Sequence, residues 1–214
     1  MPGTVPSQPK IYHIVHVDKL ASIATDGFLW SDAVMAERPN NGTVIGMDHI
    51  KQRRLERLTL TSHPEIFVGQ CVPFYFCPRS VMLNIISRGS SDLGYSAGQG
   101  PIVHLVADLN QTVTWAQQND MRWAFTLSSA ATFHFEDRCD LGMLHEIDWN
   151  AVSARYWPDV RDQKQAEFLI EQNFPWHLVE EIAVLNQATG QRAGQAIAGS
   201  VHRPVVHIRP QWYY

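Results

Sequence analysis

The side chains with chemical capacity fall in four short segments. In KQAEFLI, strand alternation puts Ala166, Phe168 and Ile170 on one face and Glu167, Leu169 and Glu171 on the other. A carboxylate at the start of an apolar strand, directly after a long irregular stretch, stands where a general base or a charge stabiliser can act; a solvent-facing Glu on an edge strand satisfies the same periodicity. His13, in IYHIVH, is either a satisfied strand residue or a donor that fixes a polar ligand such as a ribose hydroxyl. KQRRLER carries Lys51, Arg53, Arg54 and Arg57, which form either a solvated helix face or contacts to phosphates and bases. Helical geometry separates Arg53 from Arg54 by about 100°, so the two should not serve the same role. PFYFCPRSVMLN brings three aromatics, an Arg and a Met together, either as core plus a turn or as a stacking wall for a nicotinamide or an unstacked base.

Several common chemistries have no foothold. There is no phosphate-binding P-loop, no dinucleotide glycine fingerprint after a strand, no G-x-S-x-G elbow and no H-E-x-x-H. His13 and His16 lack a nearby Cys or carboxylate at ligand spacing, so no metal is expected. With a net charge of −4 and a pI near 6.2, the chain is not a protein that coats nucleic acid through many phosphate contacts. A local basic site stays open, and Arg, which outnumbers Lys, suits bidentate phosphate contacts and stacking. Cys71, Cys77 and Cys139 form no C-x-x-C pair, which points to a reducing compartment. No apolar run reaches membrane-spanning length and no signal core opens the chain, so a soluble cytoplasmic protein is expected.

These segments need elements to position them. Residues 1–10, Pro-rich and polar, read as a flexible leader, and 11–214 as a single domain. IYHIVHV, VGQCVPFYF, PIVHLVA, RWAFTL, QAEFLI, LVEEIAVLN and PVVHIRP read as strands. Asp18 can cap a short helix that Gly27 stops, GMDHIKQRRLERL reads as a helix with a basic face, and QRAGQAIAG as another. Asp108 with Gln111 forms a capping box for LNQTVTWAQQ. ERPNNGT and RGSSDLGYSAGQG read as loops, and residues 128–162 show no clean period; so long a loop in a compact domain is usually functional. With 45% hydrophobic and 18% charged residues, a sizeable core is expected in a strand-rich α+β domain.

Taken in order, IYHIVHVDKLASIATDGFLWSDA, IGMDHIKQRR, VPFYFCPRSVML, KQAEFLI and VVHIRPQWYY resemble the DarT family of DNA ADP-ribosyltransferase toxins over nearly the whole chain. The family pattern often has Pro after the PRS or PRN tripeptide, whereas this chain has Val81, a departure confined to the turn. The resemblance implies an ADP-ribosyltransferase fold, a split β-sheet with the NAD cleft between its halves. It implies Glu167 as the catalytic carboxylate and an Arg of IKQRR as its catalytic partner, Arg53 being favoured over Arg54. NAD, the co-substrate, would be held by His13, Gly27, Ser31, Arg53 and Tyr75. Lys51, Arg54, Phe74, Met82, Tyr156 and Trp157 would meet the acceptor, and the loop before Glu167 would recognise it.

The resemblance also implies single-stranded DNA as acceptor, favouring thymidine over guanosine, and a macrodomain antitoxin as partner. Nicotinamide leaves as a neutral base and the ribose becomes cationic in the transition state. A carboxylate on the adjacent ribose hydroxyl stabilises that charge, and no metal is needed. Transfer to RNA or protein, or a nucleic-acid-binding partner without catalysis, remain the competing readings.

Overall fold

The computed structural model describes residues 3–38 and 42–214. Along the chain run β1 (Lys10–His16), α1 (Leu20–Asp26), β2 (Phe28–Trp30), α2 (Asp32–Ala36), α3 (Asp48–Glu56), β3 (Cys71–Tyr75), α4 (Val81–Arg88), β4 (Ile102–Asp108) and α5 (Leu109–Gln118). They are followed by β5 (Trp123–Ser129), β6 (Asp137–Arg138), α6 (Trp149–Ser153), β7 (Ala166–Glu171), β8 (Asn173–Pro175), β9 (Glu181–Val184), α7 (Gln187–Ala196) and β10 (Val205–Ile208). The main sheet has the order β10-β9-β4-β1-β3-β7-β5-β6, and β2 pairs with β8 in a separate two-stranded sheet.

The main sheet divides at its centre. β1 pairs with β4 residue for residue, from Lys10↔Asp108 to His16↔Ile102, but meets β3 only at Tyr12↔Tyr75. Pro73 supplies a local reason. The N–H and C=O of a strand residue point to the same side, so on the side facing β1 the proline offers a carbonyl and no donor. The His13 side chain takes that carbonyl instead, with Nδ1 2.8 Å from Pro73 O. The two four-stranded halves therefore splay apart beside His13.

The core lies in three clusters. The largest packs Val72, Phe74, Phe125, Phe168 and Ile170 against Leu105, Val113 and Ile182. A second gathers Ile14, Leu83, Ile86 and Tyr213, and a third places Leu169 with Leu58, Leu60 and Val68. The alternation expected for β7 is present, since Phe168 and Leu169 enter different clusters. β7 is an interior strand, however, paired with β3 on one side and β5 on the other. The edge-strand reading of Glu167 is thereby removed, and the residue is only 4% exposed.

Several local expectations change. Residues 3–9 lie against the domain: Val5 packs on the main cluster and the Pro9 carbonyl accepts from Leu109 N–H at 3.0 Å. Asp18 caps no helix; its carboxylate accepts from Thr43, while the His16 ring accepts from Asp18 N–H. Gly27 does stop α1, at φ 76°, and Asp108 caps α5 through Gln111 N–H at 2.9 Å. PFYFCPRSVMLN is neither a plain turn nor a wall throughout: Ser80 caps the helix α4, whose Val81, Leu83 and Ile86 are buried. Val81, in the place where the family often has Pro, is the first residue of that helix. Of ERPNNGT, residues 39–41 lie outside the described residues.

Candidate active site

A cavity of about 440 Å³ opens where the two sheet halves separate, with His13, Lys51, Arg54, Tyr75, Met82 and Glu167 among the residues lining it. That size and its mostly apolar wall with a few converging polar groups suit a small-molecule site. Glu167 reaches it from the start of β7. The β5–β7 ladder is regular from Trp123↔Ile170 to Phe125↔Phe168 and then shifts register to Ser129↔Ala166, a bulge opposite Glu167. In the bulge, Thr126 Oγ1 accepts the Glu167 N–H at 2.9 Å and fixes the backbone that carries the carboxylate.

Arg54 supplies the counter-charge. Its Nη2 lies 3.0 Å from Glu167 Oε2 and its Nη1 3.5 Å from Oε1, with side-chain exposures of 12% and 5%. A nearly buried bidentate pair holds both groups in a fixed orientation. Burial works against the Arg54 charge, but the carboxylates of Glu167 and Asp32 outweigh it and raise the guanidinium above its ordinary range. Tyr75 stands directly across from Glu167 on the neighbouring strand. Burial first, then the Glu167 carboxylate, push its phenol well above the usual tyrosine value, so it stays a neutral hydroxyl.

Helix α3 must approach closely for Arg54 to reach this far. A side chain at Gly69 would meet the Leu55 backbone at 2.9 Å, so only glycine lets α3 lie against the turn at 68–70. The approach aims Arg54 into the cavity, while Arg53 turns to the rim. There Arg53 Nη1 donates to the Ala131 carbonyl at 3.0 Å. The arginine that pairs with Glu167 in this fold is therefore Arg54, whereas Arg53, favoured as its partner from the resemblance, meets the Ala131 carbonyl.

His13 is held as a neutral ring. Burial lowers its pKa, against the opposing pull of the Pro73 carbonyl. Because a carbonyl can only accept, Nδ1 carries the proton and Nε2 is left with a lone pair. His13 therefore offers an acceptor, not the donor expected from the sequence. Lys51 also lines the cavity, but its Nζ is paired with Asp32 at 2.9 Å. Met82, from α4, contributes an apolar surface.

Other expected contacts lie elsewhere. Phe74 points into the main cluster, 1% exposed and 4.7 Å from the Phe174 ring, so it cannot be a wall of the cleft. Phe76 likewise packs on Trp149. Gly27 caps α1 and Ser31 caps α2 through Val34 N–H; the cavity wall passes through their neighbours Phe28 and Asp32. Tyr156 is 83% exposed, and neither it nor Trp157 lines the cavity. Sequence reasoning missed the far end of the cavity, where Asp26 accepts from Trp30 Nε1 at 2.9 Å and from Arg38 at 2.6 Å, and Arg38 stands 4.8 Å from the Trp30 ring centre. The aromatic pair Phe28 and Trp30 beside Asp26 in TDGFLWSDA was the available signal. Among the described residues no group of three or more His, Cys, Asp or Glu side chains could hold a metal ion.

Known proteins give this arrangement a family. Residues 12–214 match the family described as ssDNA thymidine ADP-ribosyltransferase, DarT. A DNA ADP-ribosyl transferase of Thermus sp. (strain 2.9) is 36% identical over 100% of both chains, and one of Escherichia coli O127:H6 is 27% identical, covering 98% of this chain and 95% of its own. The structure of Thermus sp. 2.9 DarT with ADP-ribosylated ssDNA superposes with a TM-score of 0.88 at 36% identity, covering 100% of both chains. That of the same Thermus protein with NAD+ gives 0.83 at 34% identity, covering 99% of this chain and 100% of that one. The split sheet is thus an ADP-ribosyltransferase fold, and the chain belongs to the DarT family of ssDNA thymidine ADP-ribosyltransferases.

Proposed function

We propose that the cleft binds NAD and that Glu167 and Arg54 carry the transfer of its ADP-ribose to thymidine in single-stranded DNA. The buried Arg54–Glu167 pair at the cavity floor is the observation that carries this reading. Glu167 accepts a hydrogen bond from the ribose hydroxyl next to the reacting carbon and stabilises the positive charge that grows as nicotinamide leaves. Arg54 holds the carboxylate in place and, facing the acceptor base, polarises it while Glu167 assists loss of its proton. The Nε2 lone pair of His13 accepts a hydrogen bond from a hydroxyl or amide of NAD. Tyr75 and Met82 cover the nicotinamide, and the Trp30–Arg38 end receives the adenosine portion.

The acceptor must present an unstacked base, which single-stranded DNA does at little cost. We also propose a cytoplasmic toxin restrained by a macrodomain antitoxin, as the family resemblance implies; three free thiols fit a reducing compartment. Incubation with NAD and single-stranded oligonucleotides that differ only in carrying one thymidine, followed by mass spectrometry, tests the acceptor. ADP-ribose on the thymidine strand alone is expected, and modification of guanosine strands, RNA or protein instead would overturn the assignment. In the same assay Glu167→Gln, which preserves the shape of the pair, is expected to lower transfer by more than roughly a hundredfold. Near-normal turnover by that variant would sink the role of the carboxylate.

A further inference from the structure

Between β5 and β6 the chain leaves an aromatic ring in solvent. Phe133 is 60% exposed and, with Tyr156, one of two exposed aromatics among the described residues. Phe135, two residues on, is drawn down onto the third hydrophobic cluster. Phe133 is nevertheless tied to the cleft. Ser129 pairs with Ala166, the neighbour of Glu167, and Ser129 and Ala131 both line the cavity. Arg53 grips the Ala131 carbonyl, and its guanidinium stands 5.6 Å from the centre of the Phe133 ring.

A single exposed apolar side chain is ordinary on a protein surface, so exposure alone carries nothing. The combination does: a ring held at the mouth of the cleft, a cation against it, and a second cavity-lining residue fixed by the same arginine. A guanidinium on one side of the ring leaves the other side open to a second π-system, and its charge suits a phosphate backbone. A single strand that sends one base into the cleft must break the stack on at least one side of it. A ring beside the opening can replace that lost stacking.

We propose that Phe133, seated on Arg53, is a stacking platform for the base next to the one being modified. The inference rests on single-stranded DNA being the acceptor. Stacking of this kind tolerates any base, so the platform contributes affinity and alignment and does not select the neighbour's identity.

The test uses the intact protein, NAD and a short single-stranded oligonucleotide with one acceptor thymidine, in its normal form and with an abasic residue on either side. Phe133→Ala is expected to lower kcat/KM for the normal strand by roughly 5- to 100-fold, mainly through KM. Phe133→Trp should retain it, and NAD affinity by calorimetry should not change in either variant. An abasic neighbour should reproduce the loss in the parent protein, and on that strand Phe133→Ala should add nothing. Wild-type kinetics in Phe133→Ala, a loss of the same size on abasic strands, or a parallel fall in NAD affinity would each overturn the platform. A parent protein that modified none of the oligonucleotides would instead strike the DNA reading, and the platform with it.

Discussion

Arg53 and Arg54 are chain neighbours on one helix, yet the floor and the rim of the cleft use them in opposite ways. At the floor, Arg54 is nearly buried and bound by both nitrogens to a carboxylate. At the rim, Arg53 meets a carbonyl and the exposed Phe133 ring. The 100° step of the helix makes the division. What it teaches is that a buried ion pair is committed to one geometry, because either charge alone would be stranded away from water, whereas a half-buried cation on a carbonyl and an exposed ring can exchange partners at lower cost.

The sharpest way to break that comparison is to remove each guanidinium in turn. Arg54→Ala strands Glu167 at the cavity floor and is expected to cost about 3–5 kcal/mol of stability and nearly all transfer. Arg53→Ala, which removes one hydrogen bond from a half-buried side chain, should cost only about 1 kcal/mol and should leave NAD affinity unchanged. Urea unfolding with NAD calorimetry checks both. Equal destabilisation by the two substitutions would abolish the distinction between floor and rim.

A smaller effect separates the cleft from the anchor behind it. His104 is fully buried on β4, with Nε2 2.8 Å from the Pro78 carbonyl and Nδ1 3.3 Å from Tyr213 Oη. Burial lowers its pKa from 6.5 to about 4. The unfolded chain therefore binds a proton near pH 6.5 that the folded protein refuses until about pH 4, so stability falls as pH drops through that window. About 2 kcal/mol should be lost between pH 7.5 and pH 5, from this group alone. Urea midpoints across the range measure the loss, and a ring-proton titration of His104 by NMR locates the group. A His104 resonance that titrates near 6.5 would remove this source of acid sensitivity.

How far the sequence foretold these features depends on whether they are local. Period-two alternation marked β1 and β7, short apolar runs marked β3, β4 and β5, and the Asp108–Gln111 cap marked α5, because each signal lies within a few residues. Helix α4 was hidden because its cap, Ser80, follows Pro78 and Arg79 in a stretch that also reads as a turn. That Glu167 sits inside the sheet depends on strand order, which no single strand encodes. Choosing Arg54 over Arg53 depends on the rotation of α3, set by the close approach of Leu55 to Gly69. The aromatic wall expected from Phe74 failed for the same reason: Phe74 and Tyr75 alternate across β3, and only the packing says which of them faces the cleft.

His13 offers the smallest effect and the finest probe of the floor. Its Nδ1–H is committed to Pro73, so its contribution to a ligand is one acceptor, worth about 0.5–1.5 kcal/mol. His13→Ala should weaken NAD binding by roughly three- to tenfold. Affinity for single-stranded DNA, measured by anisotropy without NAD, should stay constant, because the ring lies at the split in the sheet and not at the rim. Burial holds the His13 pKa below the ordinary histidine value, so its acceptor should persist as pH falls through 6.5, and NAD affinity should decline only under more acidic conditions. NAD binding that halved near pH 6.5 would mean that the ring charges freely, and the neutral acceptor would then be the wrong description of His13.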